Sequence, residues 1–429
     1  MKIFILTLGC KVNQYESQAI LEMFIKSGFK KATDFKDADI LIINSCTVTS
    51  ESDKKVRKML HRFRKENKEA IIVLTGCMVQ AFPDKIADCS QADIVVGNTE
   101  RSKILEKVKN FLANEKKIVE VKDFAKDDKF ENLSIEKFDN RTRAFMKIED
   151  GCNRFCSYCI IPFARGRVRS KRLEDIKNEA RNLAENGYTE IVLVGINLSC
   201  YGQDLNLDLC DAIETVCSVE KIKRVRLGSL EPEKMDLDMI KRLSKCEKLC
   251  PQFHLSLQSG CDKTLERMNR HYKTAEYEEI IKNLRRYFKD AAITTDVMVG
   301  FAGETDEEFS ESLNFVRKIG FSKIHVFPYS VRPGTKAAEF KPQVSPEIKN
   351  IRTKKMLALA ETLNHNFLEK QVGRVEEVLF EREYKKDFFE GYTKNYTPVI
   401  VKTHENLSCK ILNVKITEVQ DKYCFGEIQ

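Results

Sequence analysis

In the first hundred residues, apolar runs at 3–8, 40–43, 71–74 and 94–96 alternate with longer stretches of helical periodicity. Short apolar strands separated by helices specify a parallel sheet covered on both faces. Three of the four runs end alike, in a polar or glycine step and then a cysteine: Thr7-Leu8-Gly9-Cys10, Asn44-Ser45-Cys46 and Thr75-Gly76-Cys77. These thiols therefore fall at the carboxyl edge of one sheet, where open α/β folds bind their ligands. From about residue 124 to 143 the pattern lapses into charged and polar sequence, which predicts a domain boundary. Six further strand candidates follow at 145–148, 191–194, 224–227, 253–257, 294–299 and 323–327, with helical stretches between them that include 173–186, 264–288 and 307–319. Six such units predict a partial (β/α)6 parallel barrel that does not close to eight. An amphipathic segment at 346–371 then leads to residues 372–383, 391–403 and 410–427, which alternate as strands do and predict a small β-barrel. The fold expected is α/β, with domains at residues 1–125, 140–345 and 371–429.

The length of 429 residues supports several cores of ordinary size, and 42% hydrophobic residues can fill them. Lys plus Arg number 73 against 65 Asp plus Glu, a formal charge of +8 that favours an anionic partner without demanding one. Fifteen cysteines, an odd number in a long chain rich in regular apolar segments, point away from a small disulfide scaffold and toward metal or redox use in a reducing compartment. The apolar run before Cys10 is too short for a signal peptide, and no run approaches the ~20 residues that span a bilayer. A cytoplasmic protein with no membrane partner is expected.

Cys152, Cys156 and Cys159 form a C-x3-C-x2-C run directly after the first barrel strand. One loop can wrap a cluster with that spacing, and three thiolates leave one iron of a four-iron cluster without a protein ligand. A zinc ribbon would need a second C-x2-C pair, and none is present. For the three amino-terminal thiols taken alone, buried core cysteines are an equal reading. The other nine cysteines fit neither set.

Cys152-Asn153-Arg154-Phe155-Cys156-Ser157-Tyr158-Cys159 resembles the signature of the radical S-adenosylmethionine superfamily. The three amino-terminal cysteine motifs extend the resemblance, over essentially the whole chain, to that superfamily's methylthiotransferase branch. The resemblance implies two 4Fe-4S clusters: one held by Cys152, Cys156 and Cys159, whose open iron chelates S-adenosylmethionine, and an auxiliary one held by Cys10, Cys46 and Cys77. It places Tyr158 near the adenine, where physics alone allows a core aromatic. Gly195-Ile196-Asn197, Gly228-Ser229-Leu230-Glu231-Pro232, Ser256-Leu257-Gln258-Ser259-Gly260 and residues 296–304 match the branch's cofactor-binding strand ends. Gly195, Asn197, Ser229, Glu231 and Gln258 are thus candidates for the ribose and methionine groups, with strand capping as the alternative reading. Ala302 stands where the branch usually has proline.

Residues 151–173 contain no acid, while Arg154, Arg165, Arg167, Arg169, Lys171 and Arg172 are present. Arg165, Arg167, Arg169, Lys171 and Arg172 are accordingly expected to face RNA phosphates at the active-site mouth. A second basic run at 54–65 reads as a solvated helix face. The terminal domain resembles a TRAM domain, which implies RNA binding, yet from residue 371 onward nine Lys or Arg stand against ten Asp or Glu. Binding there would rest on Lys385 and Lys386 or on stacking at Tyr384, Tyr392 or Tyr396.

The activity implied is insertion of a methylthio group at C2 of a modified adenine beside a tRNA anticodon, with an electron donor such as flavodoxin or ferredoxin. A radical is required because an unactivated aromatic C–H offers no acidic proton to a base. Residues 11–17 after Cys10 and 47–49 after Cys46 resemble the subgroup acting on N6-threonylcarbamoyladenosine. The alternatives are isopentenyladenosine tRNA, a ribosomal protein, or, in another class, a non-catalytic RNA-binding protein with structural metal.

Overall fold

The computed structural model describes residues 1–138 and 141–429; the expected start of the middle domain, residue 140, lies outside the described residues. The amino-terminal sheet orders its strands Lys30–Lys31, Lys2–Thr7, Ile40–Ser45, Ile71–Gly76, Ile94–Val96 and Ile118–Glu120, all parallel. Ile40 and Ile42 pack on one face and Leu41 and Ile43 on the other, which explains the unbroken apolar run. Strand order reverses at Lys2–Thr7, so a crevice opens beyond the carboxyl ends of Lys2–Thr7 and Ile40–Ser45. Cys10 and Cys46 follow these two strand ends.

The middle region forms an arc of parallel strands: Ala144–Lys147, Glu190–Val194 and Arg224–Leu227, continued by Ser229–Leu230, Gln252–Leu255, Ala292–Val299 and Lys323–Pro328. A parallel bridge between Val225 and Leu249 joins the two sets. The expected six units are present. One helix departs from expectation: residues 264–288 are not continuous but split into Asp262–Arg267 and Thr274–Tyr287. Asn269 takes a left-handed φ of 56° in the break, a conformation asparagine tolerates better than most residues. Helical periodicity runs across the break in the sequence and conceals it.

Among the described residues, the segment expected as a polar boundary carries no helix or strand between Ile118–Glu120 and Ala144–Lys147, yet Leu133, Ile135 and Phe138 are buried in the barrel core. Val12, Tyr15 and Ala19 of the helix Lys11–Lys26 join that same core. Beyond the helix Pro346–Glu369, five strands close into a barrel, Val375–Lys385, Phe388–Thr393, Pro398–Lys402, Ile411–Gln420 and Tyr423–Ile428. Arg224 donates to the carbonyls of Tyr392 (3.1 Å) and Glu377 (2.8 Å), and Arg226 to that of Lys394 (3.0 Å), which seats the small barrel on the arc. Among the described residues, no helix is long and apolar enough to cross a membrane.

Candidate active site between two cysteine sets

The loops bearing Cys10, Cys46 and Cys77 are drawn together by glycines that no other residue could replace. Gly9 sits at φ 111°, and a Cβ there would fall 2.7 Å from Cys46 Cβ. Gly76, at φ 103°, would place a Cβ 2.4 Å from the Ser45 backbone. Asn13 Nδ2 donates to both Leu8 O (2.9 Å) and Ser45 O (3.0 Å), tying the Cys10 loop to the Cys46 loop. Cys46 and Cys77 are buried, whereas Cys10 opens onto a cavity. Protein walls around that cavity push the Cys10 thiol up to about 11, with the neighbouring Cys77 adding to the effect against the opposing field of Arg165.

The second set lies in a loop clamped by the antiparallel pair Glu149–Asp150 and Arg169–Ser170. Cys152 N donates to Gly166 O at 3.0 Å, closing the loop at its base. Cys152, Cys156 and Cys159 are each half-buried. Burial raises the Cys159 thiol, and the fields of Cys156 and Cys152 raise it further. Burial likewise pushes Cys152 up to about 12. Among the described residues no three His, Cys, Asp or Glu side chains gather closely enough to share one metal ion. A four-iron cluster takes each thiolate on a different iron, so its ligands stand farther apart than those of one ion.

Around this loop stand the strand-end candidates. Asn197 Nδ2 reaches Cys152 Sγ at 3.5 Å, and its Oδ1 is buried with no partner. Gln258 is also buried with an unpartnered Oε1, and its backbone holds φ 64°, a strained value for a residue with a side chain. Such orphaned acceptors cost about 1–3 kcal/mol each in a closed interior. They fit a ligand that donates, as ribose hydroxyls or an ammonium group do, and the thiols fit iron. Gly195 packs over Glu149, whose carboxyl is held well above its usual range by burial, against the hydrogen bond from Asn197 N. Ser229 is exposed to the cavity. Glu231 is gripped by Arg270, which also donates to Cys156 Sγ at 3.4 Å. Tyr158 meets Phe301 edge-on at 6.2 Å. Arg270 escaped the sequence reading because the helix break that aims it was invisible there.

Three of the five residues expected on an RNA-facing surface are buried, and that expectation is corrected for them. Arg165 has no exposed side-chain surface; it donates from Nε to Cys77 Sγ (3.2 Å), from Nη1 to Glu16 (2.5 Å) and from Nη2 to Asn13 Oδ1 (2.6 Å). Arg169 lies near Asp150 and stacks on Phe124, and Lys171 pairs with Glu179. Their charge is compensated inside the protein, so none faces phosphate. Arg167 and Arg172 are exposed. Tyr392 and Tyr396 are half-buried: their rings stack on each other at 4.7 Å, and Arg143 lies over both. Tyr384 remains exposed beside Tyr423.

The cavity between the domains has a volume of about 860 Å³. Its rim includes Cys10 from the first cysteine set and Gly195, Gly228 and Ser229 from the strand ends, and its wall includes His254 and Asp296, whose side chains lie 3.3 Å apart. Tyr396 of the small barrel closes part of it.

Comparison with known proteins gives matches along the chain. Residues 2–97 match the Uncharacterized protein family UPF0004, residues 146–316 the Radical SAM superfamily, and residues 369–428 the TRAM domain. The chain is 38% identical to the threonylcarbamoyladenosine tRNA methylthiotransferase MtaB of Bacillus subtilis, over 98% of its own length and 95% of the relative's. It is 33% identical to the tRNA-2-methylthio-N(6)-dimethylallyladenosine synthase of Finegoldia magna, over 99% and 94%. Among solved structures, the radical S-adenosylmethionine methyltransferase TsrM from Kitasatospora setae superposes with a TM-score of 0.60 at 13% identity, covering 85% of this chain and 90% of that one. That last likeness concerns the fold. On full-length identity to its relatives, the chain belongs to the radical S-adenosylmethionine tRNA methylthiotransferase family.

Proposed function

We propose that the protein converts N6-threonylcarbamoyladenosine at position 37 of tRNA to its 2-methylthio derivative. The observation that carries this reading is a cavity that Cys10 of the first cysteine set lines together with the strand ends Gly195, Gly228 and Ser229. Asn197, two residues beyond the lining Gly195, donates to Cys152 Sγ of the second set at 3.5 Å. Residues 1–125, 140–345 and 371–429 then act as auxiliary-cluster, radical and RNA-holding domains.

In this reading Cys152, Cys156 and Cys159 hold one 4Fe-4S cluster, and Cys10, Cys46 and Cys77 hold the other. When bound, the clusters and S-adenosylmethionine supply the electron, the carbon radical and the sulfur. The chain's own side chains do the rest. Asn197 and Gln258 offer acceptors to the nucleoside moiety, and Ser229 lines the cavity. Tyr158 and Phe301 wall the apolar side, while Arg270 fixes Glu231 and the Cys156 sulfur. Arg165 donates from Nε to Cys77 Sγ and sets its positive charge against that sulfur. Arg167 and Arg172 remain for phosphate. A flavodoxin or ferredoxin would deliver the electron.

The relatives act on two adenines, one bearing a carboxylate-tipped substituent and one an apolar chain. The cavity supports the first: Lys11, Arg141 and Lys323 line it, Arg143 and Arg226 are paired with Glu190, and Asp296 is the one carboxylate among its described lining residues. The test offers purified, anaerobically reconstituted enzyme both tRNA types in competition and follows each methylthio nucleoside by mass spectrometry. Preference for the threonylcarbamoyl tRNA is expected; preference for the isopentenyl tRNA would overturn the assignment.

A further inference from the structure

The cations of the cavity are not equivalent. Arg143 is spoken for by Glu381 at 2.6 Å and Glu190 at 3.9 Å, and it lies over the Tyr392 and Tyr396 rings. Arg226 is bound to Glu190 at 2.8 Å and to carbonyls of the small barrel. These two seat domains on one another. Lys11 and Arg141 differ: among the described residues neither has a carboxylate within ion-pair distance, and both are exposed to the cavity. Arg141 donates one bond, from Nη2 to Gln14 Oε1 at 2.7 Å, and rests its guanidinium over Phe145 at 4.8 Å. Lys11 Nζ lies 6.0 Å from the centroid of the same ring. Two like charges share one aromatic ring, and among the described residues neither is paired with an anion.

Resting on the function proposed above, the geometry points to Lys11 and Arg141 as the receptor for the carboxylate on the N6 substituent, with Gln14 alongside for its urea. A carboxylate entering between them would gain charge-assisted hydrogen bonds, and Arg141 presents the planar fork that grips carboxylates. Placement agrees with the chemistry at C2. Lys11 follows Cys10 in the chain, so the substituent at one edge of the base and the reacting carbon at another are served by one turn of helix. The isopentenyl chain has nothing to offer these cations and would leave them desolvated and unpaired.

The experiment is equilibrium binding of the full-length, reconstituted protein to one tRNA sequence in two forms, with threonylcarbamoyladenosine or with plain adenosine at the modified position. Arg141→Met keeps the apolar contact with Phe145 and removes the charge; Arg141→Lys restores it; Lys11→Met repeats the test on the second cation, with iron content checked because Cys10 adjoins it. Each Met variant is expected to lose about tenfold in affinity for the threonylcarbamoyl form. Affinity for the plain form should change less than about twofold, and Arg141→Lys should recover most of the loss. An equal loss on both forms would mean that the cations meet RNA phosphate, and would overturn the receptor. Undiminished discrimination by Arg141→Met would overturn it too. Preference of the wild-type enzyme for isopentenyl tRNA would instead sink the functional reading itself, which separates the two failures.

Discussion

Glu16→Gln should cost this protein about 3 kcal/mol of stability, and the reason is a charge count inside the molecule. Glu16 has no exposed side-chain surface and accepts from Arg101, from Lys147 at 2.8 Å and from Arg165 at 2.5 Å. Asp150 shares those three cations and adds Arg169 at 3.7 Å. The amide would leave four buried or nearly buried cations facing Asp150, with Glu131 touching only Arg101. Removing one partner of a buried ion pair costs about 3–5 kcal/mol. A second route gives a similar size. Burial works against the Glu16 charge, but Arg101, Arg165 and Lys147 overcome it and hold the carboxyl down to about 2 from an ordinary 4.5. At about 1.4 kcal/mol per pH unit, that depression is worth on the order of 3 kcal/mol. Because the folded value is depressed, the contribution is fully present above pH 4.5 and is lost as pH falls toward 2. The assay is denaturant unfolding of the cluster-free chain at several pH values, wild type against variant. The Lys54–Glu51 pair, exposed on both sides, supplies the control, where Glu51→Gln should change stability by less than about 1 kcal/mol. A Glu16→Gln effect no larger than the control, or one that did not shrink as pH fell below 4.5, would refute the reasoning.

Replacing Cys152, Cys156 and Cys159 with Ala should remove about half of the iron and abolish 5′-deoxyadenosine formation. The same replacement at Cys10, Cys46 and Cys77 should stop methylthiolation while some cleavage of S-adenosylmethionine survives; retention of full iron by either variant would contradict the two-cluster assignment. Arg167→Ala with Arg172→Ala should flatten the slope of log affinity for tRNA against log salt by about one unit for each phosphate no longer neutralised, and an unchanged slope would return both to an ordinary solvated surface. Arg270→Met removes a donor from Cys156 Sγ, so the potential of the cluster held there should move to more negative values, read by redox titration with electron paramagnetic resonance.

Local chemistry was the legible part of this chain. Cys152, Cys156 and Cys159 lie within one loop, and each amino-terminal cysteine follows a strand whose apolar run is unbroken because both faces are covered. The edge strands Lys30–Lys31 and Ile118–Glu120 were missed because two or three residues, partly polar, carry no period. Charge was misread for a different reason. Arg165 belongs to a run without acids, and its partner Glu16 lies 149 positions away in another domain. A string of cations shows its charge in sequence but not what meets it in space. The polar linker misled similarly: Leu133, Ile135 and Phe138 are too few to make a pattern, yet the Leu133 carbonyl accepts from the Tyr15 hydroxyl at 2.5 Å.

The helix Lys11–Lys26 shows why the site depends on domain docking as much as on its ligands. Three stripes at helical spacing run along it, and each meets a different surface. Val12, Tyr15 and Ala19 enter the barrel core. Asn13 and Glu16 both accept from Arg165, the residue that also touches Cys77. Lys11 and Gln14 line the cavity, Gln14 holding Arg141. Cys10 caps the same helix. A rotation of a few degrees that kept the core stripe buried would still shift Cys10 and Lys11 by about half an ångström at the cavity wall. The buried ion network resists that rotation, because charge-assisted bonds to Glu16 tolerate misalignment far less than apolar packing does. One element therefore carries both Cys10 and Lys11, and the ion pairs of Glu16 on another of its stripes hold both in register.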